Sequence, residues 1–427
     1  MFKVLVIAYY FPPAGLSGVQ RTLKFVKYFP ANNWKPTVIT TDSIGYFAHD
    51  LTLLEDLRGK EIDIVRVKGK DINSRLAKKG TVTIPNEFIR KVLSKISSTI
   101  FIPDNKKNWS KKVLKVASEL MNREQYDLIF VSGPPFSTVN TAVALKKKFK
   151  VPLVIDYRDL WYGFHFATYP TPYHSYKIKK MEYKALREAD KVIVINRRIK
   201  EKLMDYYKFL TFKDIVIIPQ GYDPEDLEKA ISEKKMHDKM ILTYSGLFYE
   251  NITPKYFLQA FRQLLNERPD IANSVLLYFI GVKRKEVSKV IKKLKLENFV
   301  KEFGYIPHLD ALSKVMLSDV LWLMIGEGKN ADTISSGKFF EYIGTMKPVI
   351  GCVPEGTLKT NLEEYGAAFI CAPDDITSIK QNIIKAFQLY KKGELPKANE
   401  EYVQKHRRDA LTEILVKEFQ FLLKEKL

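Results

Sequence analysis

The chain has 427 residues, 46% of them apolar, with 20 glycines, 20 prolines and two cysteines, Cys352 and Cys371. That length and apolar content suit two or three packed domains of roughly 100–200 residues each and exclude collagen-like, low-complexity and disordered chains, while two cysteines exclude a disulfide framework or a Cys-type zinc site and favour a reducing compartment. The net charge of +21 is lopsided: the first 220 residues hold 39 basic and 20 acidic side chains, a net of +19, against +2 in the remainder, so the first half is expected to meet an anionic partner.

No apolar stretch approaches the roughly 18 residues needed to cross a bilayer. The opening MFKVLVIAYYFPP lacks a small-residue cleavage site and reads as a buried first strand rather than a leader. Residues 4–10, 37–41, 63–67, 128–131, 151–156, 192–195 and 215–218 are short, continuous, β-branched runs, as expected of strands buried on both faces. Helical periodicity lies between most of them, as at 21–29. The pattern restarts with 240–244, 275–280, 300–303, 320–324, 349–352 and 368–371, separated by helices such as 255–265 and 283–294. This alternation predicts an α/β chain with two doubly wound parallel sheets. One domain spans residues 1–220, a second 221–400, with the boundary in the charged stretch 218–239. Residues 401–427 form amphipathic helices carrying Leu411, Ile414, Leu415, Phe419, Leu422 and Leu423. In such domains ligands sit at the carboxyl ends of the strands, and two such faces across a cleft suit group transfer between two ligands.

Four motifs fall at those strand ends. Pro12-Pro13-Ala14-Gly15-Leu16-Ser17-Gly18 follows the first strand and precedes a helix, where Gly15 and Gly18 let main-chain N–H groups turn toward an anion; a tight structural turn is the alternative. Ser132 to Ser137 (SGPPFS) is an equally ambiguous turn. Asp156-Tyr157-Arg158-Asp159 clusters two carboxylates and a guanidinium: Arg158 suits a phosphate or carboxylate, Asp159 a general base or a sugar hydroxyl, and Trp161, Tyr162 and His165 suit stacking on a sugar ring. The alternative is an internal ion pair. In Ser335-Ser336-Gly337-Lys338-Phe339-Phe340-Glu341, a helix start and Lys338 suit a diphosphate, and Glu341, one turn on, suits the diol of a ribose; an N-capped helix with an i,i+3 ion pair is the alternative.

These motifs, together with VIVINRRIKEKL, IVIIPQGYDP and SGKFFEYIGTMKPVIG, resemble the GT-B glycosyltransferases, and in detail the retaining family 4 enzymes of cell-surface polysaccharide synthesis. The resemblance implies two Rossmann-like domains facing a cleft, with the C-terminal helices packing back on the N-terminal domain. It implies an acceptor-binding first domain and a nucleotide-sugar-binding second domain. It assigns the donor to Gly15, Gly18, Gly246, Ser336, Gly337, Lys338 and Glu341, and the catalytic neighbourhood to Arg158 and Asp159. The sequence departs from the family twice. The first glutamate of the Glu-x7-Glu pair falls at Thr333, with Asp332 beside it, and the Arg and Lys that usually follow the second domain's first strand are replaced by Ser245-Gly246-Leu247.

The implied activity is transfer of a sugar from a nucleotide-diphosphate donor to a lipid-linked or other saccharide acceptor, with retention and with no metal or other cofactor. The basic first domain adds an expectation of its own. Between residues 75 and 115 Lys and Arg interleave with Ile, Phe, Leu and Trp, and Ile89, Val92, Ile96 and Ile100 recur at helical spacing beside Arg90, Lys91 and Lys95. Such a helix suits an anionic membrane surface, so the protein is expected in the cytoplasm, peripheral at the inner face of the cell membrane; a core-facing helix with a solvated basic side is the alternative. The competing readings are a sugar-nucleotide epimerase of the same architecture, a degenerate partner subunit, and a basic nucleic-acid-binding protein; the sequence lacks the recognition motifs of the last, so no nucleic-acid partner is expected.

Overall fold

A computed structural model describes residues 1–15, 17–42, 45–46, 48–69, 80–81, 87–165, 167–231, 234–249 and 251–424. The chain divides into two compact units, Met1–Pro219 with Arg408–Leu427, and Gln220–Arg407.

The first unit contains strands β1 (Phe2–Ile7), β2 (Trp34–Thr41), β3 (Gly45–Tyr46), β4 (Asp63–Val67), β5 (Gly80–Thr81), β6 (Leu128–Gly133), β7 (Leu153–Tyr157), β8 (Lys191–Val194) and β9 (Ile215–Ile217). Seven of them form one sheet in the order β4-β2-β1-β6-β7-β8-β9, all pairs parallel, while β3 and β5 pair separately. The helices are α1 (Ser17–Tyr28), α2 (Glu87–Ile100), α3 (Lys107–Arg123), α4 (Ser137–Phe149), α5 (Pro172–Glu188) and α6 (Arg197–Tyr206).

The continuous apolar runs have a direct cause: both faces of the sheet are covered. Leu5 and Ile7 of β1 point into one core with Trp109, Val113, Leu145 and Leu186. Val4 and Val6 point into the other, with Leu23, Val26, Phe29 and the last helix, Arg408–Lys424. There Phe419 packs its ring against Trp34, Phe130 and Phe29 at 5.2, 5.7 and 5.8 Å.

The second unit contains β10 (Met240–Ser245), β11 (Val275–Ile280), β12 (Val300–Gly304), β13 (Val320–Met324), β14 (Val349–Cys352) and β15 (Ala368–Cys371), ordered β12-β11-β10-β13-β14-β15 and parallel throughout. Its helices are α7 (Pro224–Lys229), α8 (Lys255–Glu267), α9 (Pro269–Ala272), α10 (Lys285–Lys293), α11 (His308–Leu317), α12 (Gly337–Gly344), α13 (Thr357–Tyr365), α14 (Ile376–Lys392) and α15 (Glu400–Gln404). Trp322 is central to the core: it stacks on Phe257 at 3.9 Å and lies near Tyr244 at 5.1 Å and Phe279 at 5.8 Å.

One boundary differs from the sequence reading. Residues 401–407 stay with the second unit, because Tyr402 and Val403 of α15 are buried in its core; only the helix that starts at Arg408, α16, belongs to the first unit. Within the charged stretch 218–239, α7 is a formed helix, started by Pro224 in its first turn and by the Asp223 carboxylate accepting from the Glu225 N–H at 3.1 Å. Among the described residues no helix is long and apolar enough to cross a membrane.

Each sheet reverses its winding once, between β1 and β6 and between β10 and β13. Doubly wound sheets hold ligands beyond the strand ends at such a reversal.

Candidate functional site

In the second unit the reversal is flanked by Gly246, after β10, and by the loop that runs from β13 to α12. Gly246 has φ +141°, and its N–H donates to the Ile280 carbonyl at 2.7 Å. A Cβ at Gly246 would stand 1.8 Å from Lys338 Cε. Glycine is needed here because φ +141° strains any other residue, while the Lys338 side chain lies across the main chain at this point.

Lys338 sits in the first turn of α12. Its ammonium is 5.4 Å from the centre of the Tyr244 ring. Burial lowers its pKa to about 8, against the opposing pull of Glu341. Ser336, the cap position, makes no side-chain capping bond, and the buried Ser335 Oγ has no hydrogen-bond partner among the described residues. The helix thus begins with open donors, a half-buried cation and an uncommitted hydroxyl, which together suit an anion. Glu341 is half-buried beside Lys338 and carries no hydrogen bond among the described residues. Gly337, Lys338 and Glu341 therefore share one face, as the sequence expected, with Gly246 beneath Lys338.

At the position of the absent glutamate, Thr333 is buried and its hydroxyl donates to the Asn330 carbonyl at 2.7 Å. The neighbouring Asp332 is anchored by its main chain: its carbonyl accepts from Thr357 Oγ1 at 2.9 Å, and Gly356 packs so closely that a Cβ there would be 2.4 Å from Asp332 Cα.

In the first unit the cluster after β7 separates into different roles. Asp156 is fully buried and is held by Arg21 of α1 and by Ser132 Oγ at 2.8 Å. The Arg158 guanidinium, which the sequence offered as a fork for phosphate, donates to the main-chain carbonyls of Gly18 and Pro134 and, at 3.4 Å, of Gly133. It ties the start of α1 to the turn after β6. Asp159 is half-buried, has no hydrogen bond among the described residues, and is pushed up to about 6 by desolvation, partly offset by Arg158.

Trp161 is not available to a sugar ring. It is 3% exposed and stacks on Phe136 at 4.9 Å in the core. The Tyr162 N–H donates to Glu182 at 2.9 Å, its ring packs on Tyr169 and Tyr206, and burial lowers His165 to about 4. The Gly15 N–H is likewise committed, donating to the Ala48 carbonyl at 2.9 Å, so Gly15 supplies shape rather than a donor. Gly18 opens the first turn of α1, close under Arg158.

Two features escaped the sequence reading. Gly281, after β11, has φ +140°, and a Cβ there would lie 2.3 Å from the Gly246 carbonyl oxygen. Arg284, three residues on, is 6% exposed and lines a shallow hollow together with Gly246, Gly281 and Lys283. The signal was present in Gly281-Val282-Lys283-Arg284, a glycine and two cations at a strand's carboxyl end.

On α2, Val92, Leu93, Ile96 and Ile100 are 42–65% exposed and Lys95 is exposed beside them, so this apolar face is not buried in the core. His174 of α5 meets the Thr99 carbonyl at 3.0 Å, which sets the exposed Tyr173 and Tyr176 alongside. Residues 75–79 and 82–86 of the basic stretch, and the side chains of Ile89 and Lys91, lie outside the described residues.

Residues 18–226 match the model of Glycosyltransferase Family 4. No curated protein matches the chain by sequence. Among solved structures, sucrose-phosphate synthase from Thermosynechococcus elongatus superposes with a TM-score of 0.65 at 13% identity, over 100% of both chains. The α,α-trehalose-phosphate synthase (UDP-forming) from Burkholderia xenovorans gives 0.62 at 11%, over 98% of this chain and 100% of its own. WaaG, a glycosyltransferase involved in lipopolysaccharide biosynthesis, gives 0.57 at 13%, over 95% of each.

Proposed function

Since the chain belongs, through residues 18–226, to Glycosyltransferase Family 4 and has the GT-B fold, we propose that this glycosyltransferase takes its sugar from a nucleotide diphosphate bound in the second unit. The observation that carries the reading is Lys338 lying over Gly246 at an uncapped helix start, with Glu341 one turn further on. Phosphate oxygens accept from the helix N–H groups and Lys338, and a ribose diol donates to Glu341. Charge on the departing nucleoside diphosphate is stabilised by the same groups. Transfer proceeds with retention, without metal or other cofactor, by front-face attack in which the leaving phosphate helps deprotonate the acceptor.

Asp159 is the first unit's candidate for orienting or deprotonating a sugar hydroxyl, and Arg158 is its positioning residue. The acceptor is a saccharide on a lipid carrier, at the cytoplasmic face of the membrane, in cell-surface polysaccharide or glycolipid assembly. The exposed face of α2 with Tyr173, Tyr176 and nearby lysines supports this, because apolar side chains flanked by cations suit an anionic bilayer interface.

A thermal-shift panel of UDP-, GDP-, ADP- and CMP-sugars tests the donor site. One nucleotide class is expected to raise the midpoint by mass action, and Lys338→Ala to abolish the rise. No response to any donor would reject the reading, and donor turnover that needs no acceptor would point to an epimerase instead. Flotation with liposomes tests the membrane reading: recovery is expected with anionic lipid and not with neutral lipid.

A further inference from the structure

Lys338 and Tyr342 stand four residues apart on α12, so they lie one above the other on the same helix face. Both reach the end of β10, at consecutive residues. Lys338 crosses Gly246, with its ammonium 5.4 Å from the centre of the Tyr244 ring. Tyr342 is fully buried, and its hydroxyl accepts the Ser245 N–H at 2.7 Å.

The strand needs that acceptor. Successive N–H groups of an extended strand point to opposite neighbours. The Gly246 N–H turns to the β11 side, where it donates to the Ile280 carbonyl at 2.7 Å. The Ser245 N–H therefore faces the other side, where β10 pairs with β13 at Leu242–Val320 and Thr243–Leu321. Ser245 lies two residues past that pairing, and the Tyr342 hydroxyl stands there in place of a strand carbonyl. An amide left without an acceptor at this point would be costly, and the chain would shift to find one. Burial pushes the Tyr342 phenol well above its ordinary value, against the pull of the Ser245 N–H, so the hydroxyl stays neutral through the working pH range. Ser245 and Gly246 are thus pinned from both sides, directly under the Lys338 stem.

We propose that Tyr342 is a positioning residue for the donor site: its hydroxyl fixes the Ser245–Gly246 main chain as the floor on which Lys338 is held toward a nucleotide's diphosphate. This rests on the proposed donor site. Tyr342 acts through Lys338, and the helix that supplies the cation also supplies the group that sets the cation's height.

The test is titration calorimetry on the full chain with UDP, GDP and ADP, and with the matching nucleoside of whichever binds. Tyr342→Phe keeps the ring and is expected to fold. It is expected to weaken the diphosphate by about three- to tenfold, the range for one net hydrogen bond, and to leave the nucleoside within about twofold. In a Lys338→Gln background the same change is expected to alter affinity by less than about twofold, because the residue it acts through is gone. Thr243→Val is the control: it removes another buried hydroxyl bond of β10, to Ser318 Oγ at 2.6 Å, and is expected to lower the melting midpoint while leaving diphosphate affinity within about twofold. Three results would each overturn the role of Tyr342 and leave the donor site standing, provided Lys338→Gln is impaired: unchanged affinity in folded Tyr342→Phe, an equal loss in both backgrounds, or an equal loss in Thr243→Val. A wild-type chain that binds none of the three diphosphates would overturn both.

Discussion

Arg21 grips Asp156 with two prongs, Nε at 3.0 and 3.1 Å from the two carboxylate oxygens and Nη2 at 2.8 Å from one of them, and both side chains are at most 1% exposed. The remaining Arg21 donors reach the carbonyls of Ile218 and Pro219 at 2.9 and 2.8 Å. The pair joins α1, β7 and the end of the β9 segment. Removing one partner strands a buried charge, so Asp156→Asn is expected to cost about 3–5 kcal/mol of the first unit's stability, read from urea unfolding. A loss below about 1 kcal/mol would show that the pair is not structural.

The contact between Gly246 and Lys338 predicts the outcome of adding one methyl group. Gly246→Ala places a Cβ 1.8 Å from Lys338 Cε and forces alanine to φ +141°. Lys338 must leave its position, and diphosphate affinity is expected to fall at least about tenfold, with a backbone-strain cost of about 1–3 kcal/mol in stability. Calorimetry and a thermal melt on the same sample separate the two effects.

Lys338 also sets a pH limit. Desolvation lowers it to about 8, so the free enzyme loses this charge as pH rises through 8. The value of kcat/KM, which reports free-enzyme ionisations, is expected to fall on the alkaline side with a midpoint near 8. Lys338→Arg keeps its charge at every working pH and is expected to remove that limb, whatever it does to the maximum rate.

Glu182 makes an independent pH prediction about stability. Its Oε2 accepts from Tyr207 Oη at 2.7 Å and the Tyr162 N–H at 2.9 Å, while Oε1 has no partner among the described residues. Burial raises it to about 7 against those bonds. A carboxyl raised in the folded state favours folding fully below its unfolded pKa near 4.3, and that advantage is lost as pH rises from there through 7. The slope over pH 4–7, on the order of 3 kcal/mol in total, is expected to flatten in Glu182→Gln, measured by thermal melts at each pH.

The strands were legible because a parallel sheet covered on both faces demands unbroken β-branched runs; residues 63–67, 275–280, 320–324, 349–352 and 368–371 match their observed strands end for end. The start of α12 was legible because its donors, cation and carboxylate lie within seven residues. The cluster after β7 was not. Asp156 and Arg158 are two residues apart, yet Asp156 pairs with Arg21, and Arg158 reaches Gly18 and Pro134. Trp161 went to Phe136 for the same reason: partners 24 to 140 positions away decide the role, and no local pattern records them. Arg284 was missed because its helix was read for periodicity and not for what precedes it.

The helix beginning at Arg408 gives the biosynthetic order an unusual shape. Strands β1 to β9 are synthesised early, but the surface formed by Val26, Phe29, Trp34 and Phe130 stays bare until Phe419 has been translated. Meanwhile Gln220–Arg407 can emerge and fold as a whole. On the ribosome the chain thus passes through a stage in which the later-made lobe is finished while the earlier-made one still shows an uncovered greasy flank, and a chaperone that guards nascent chains would have its longest dwell there.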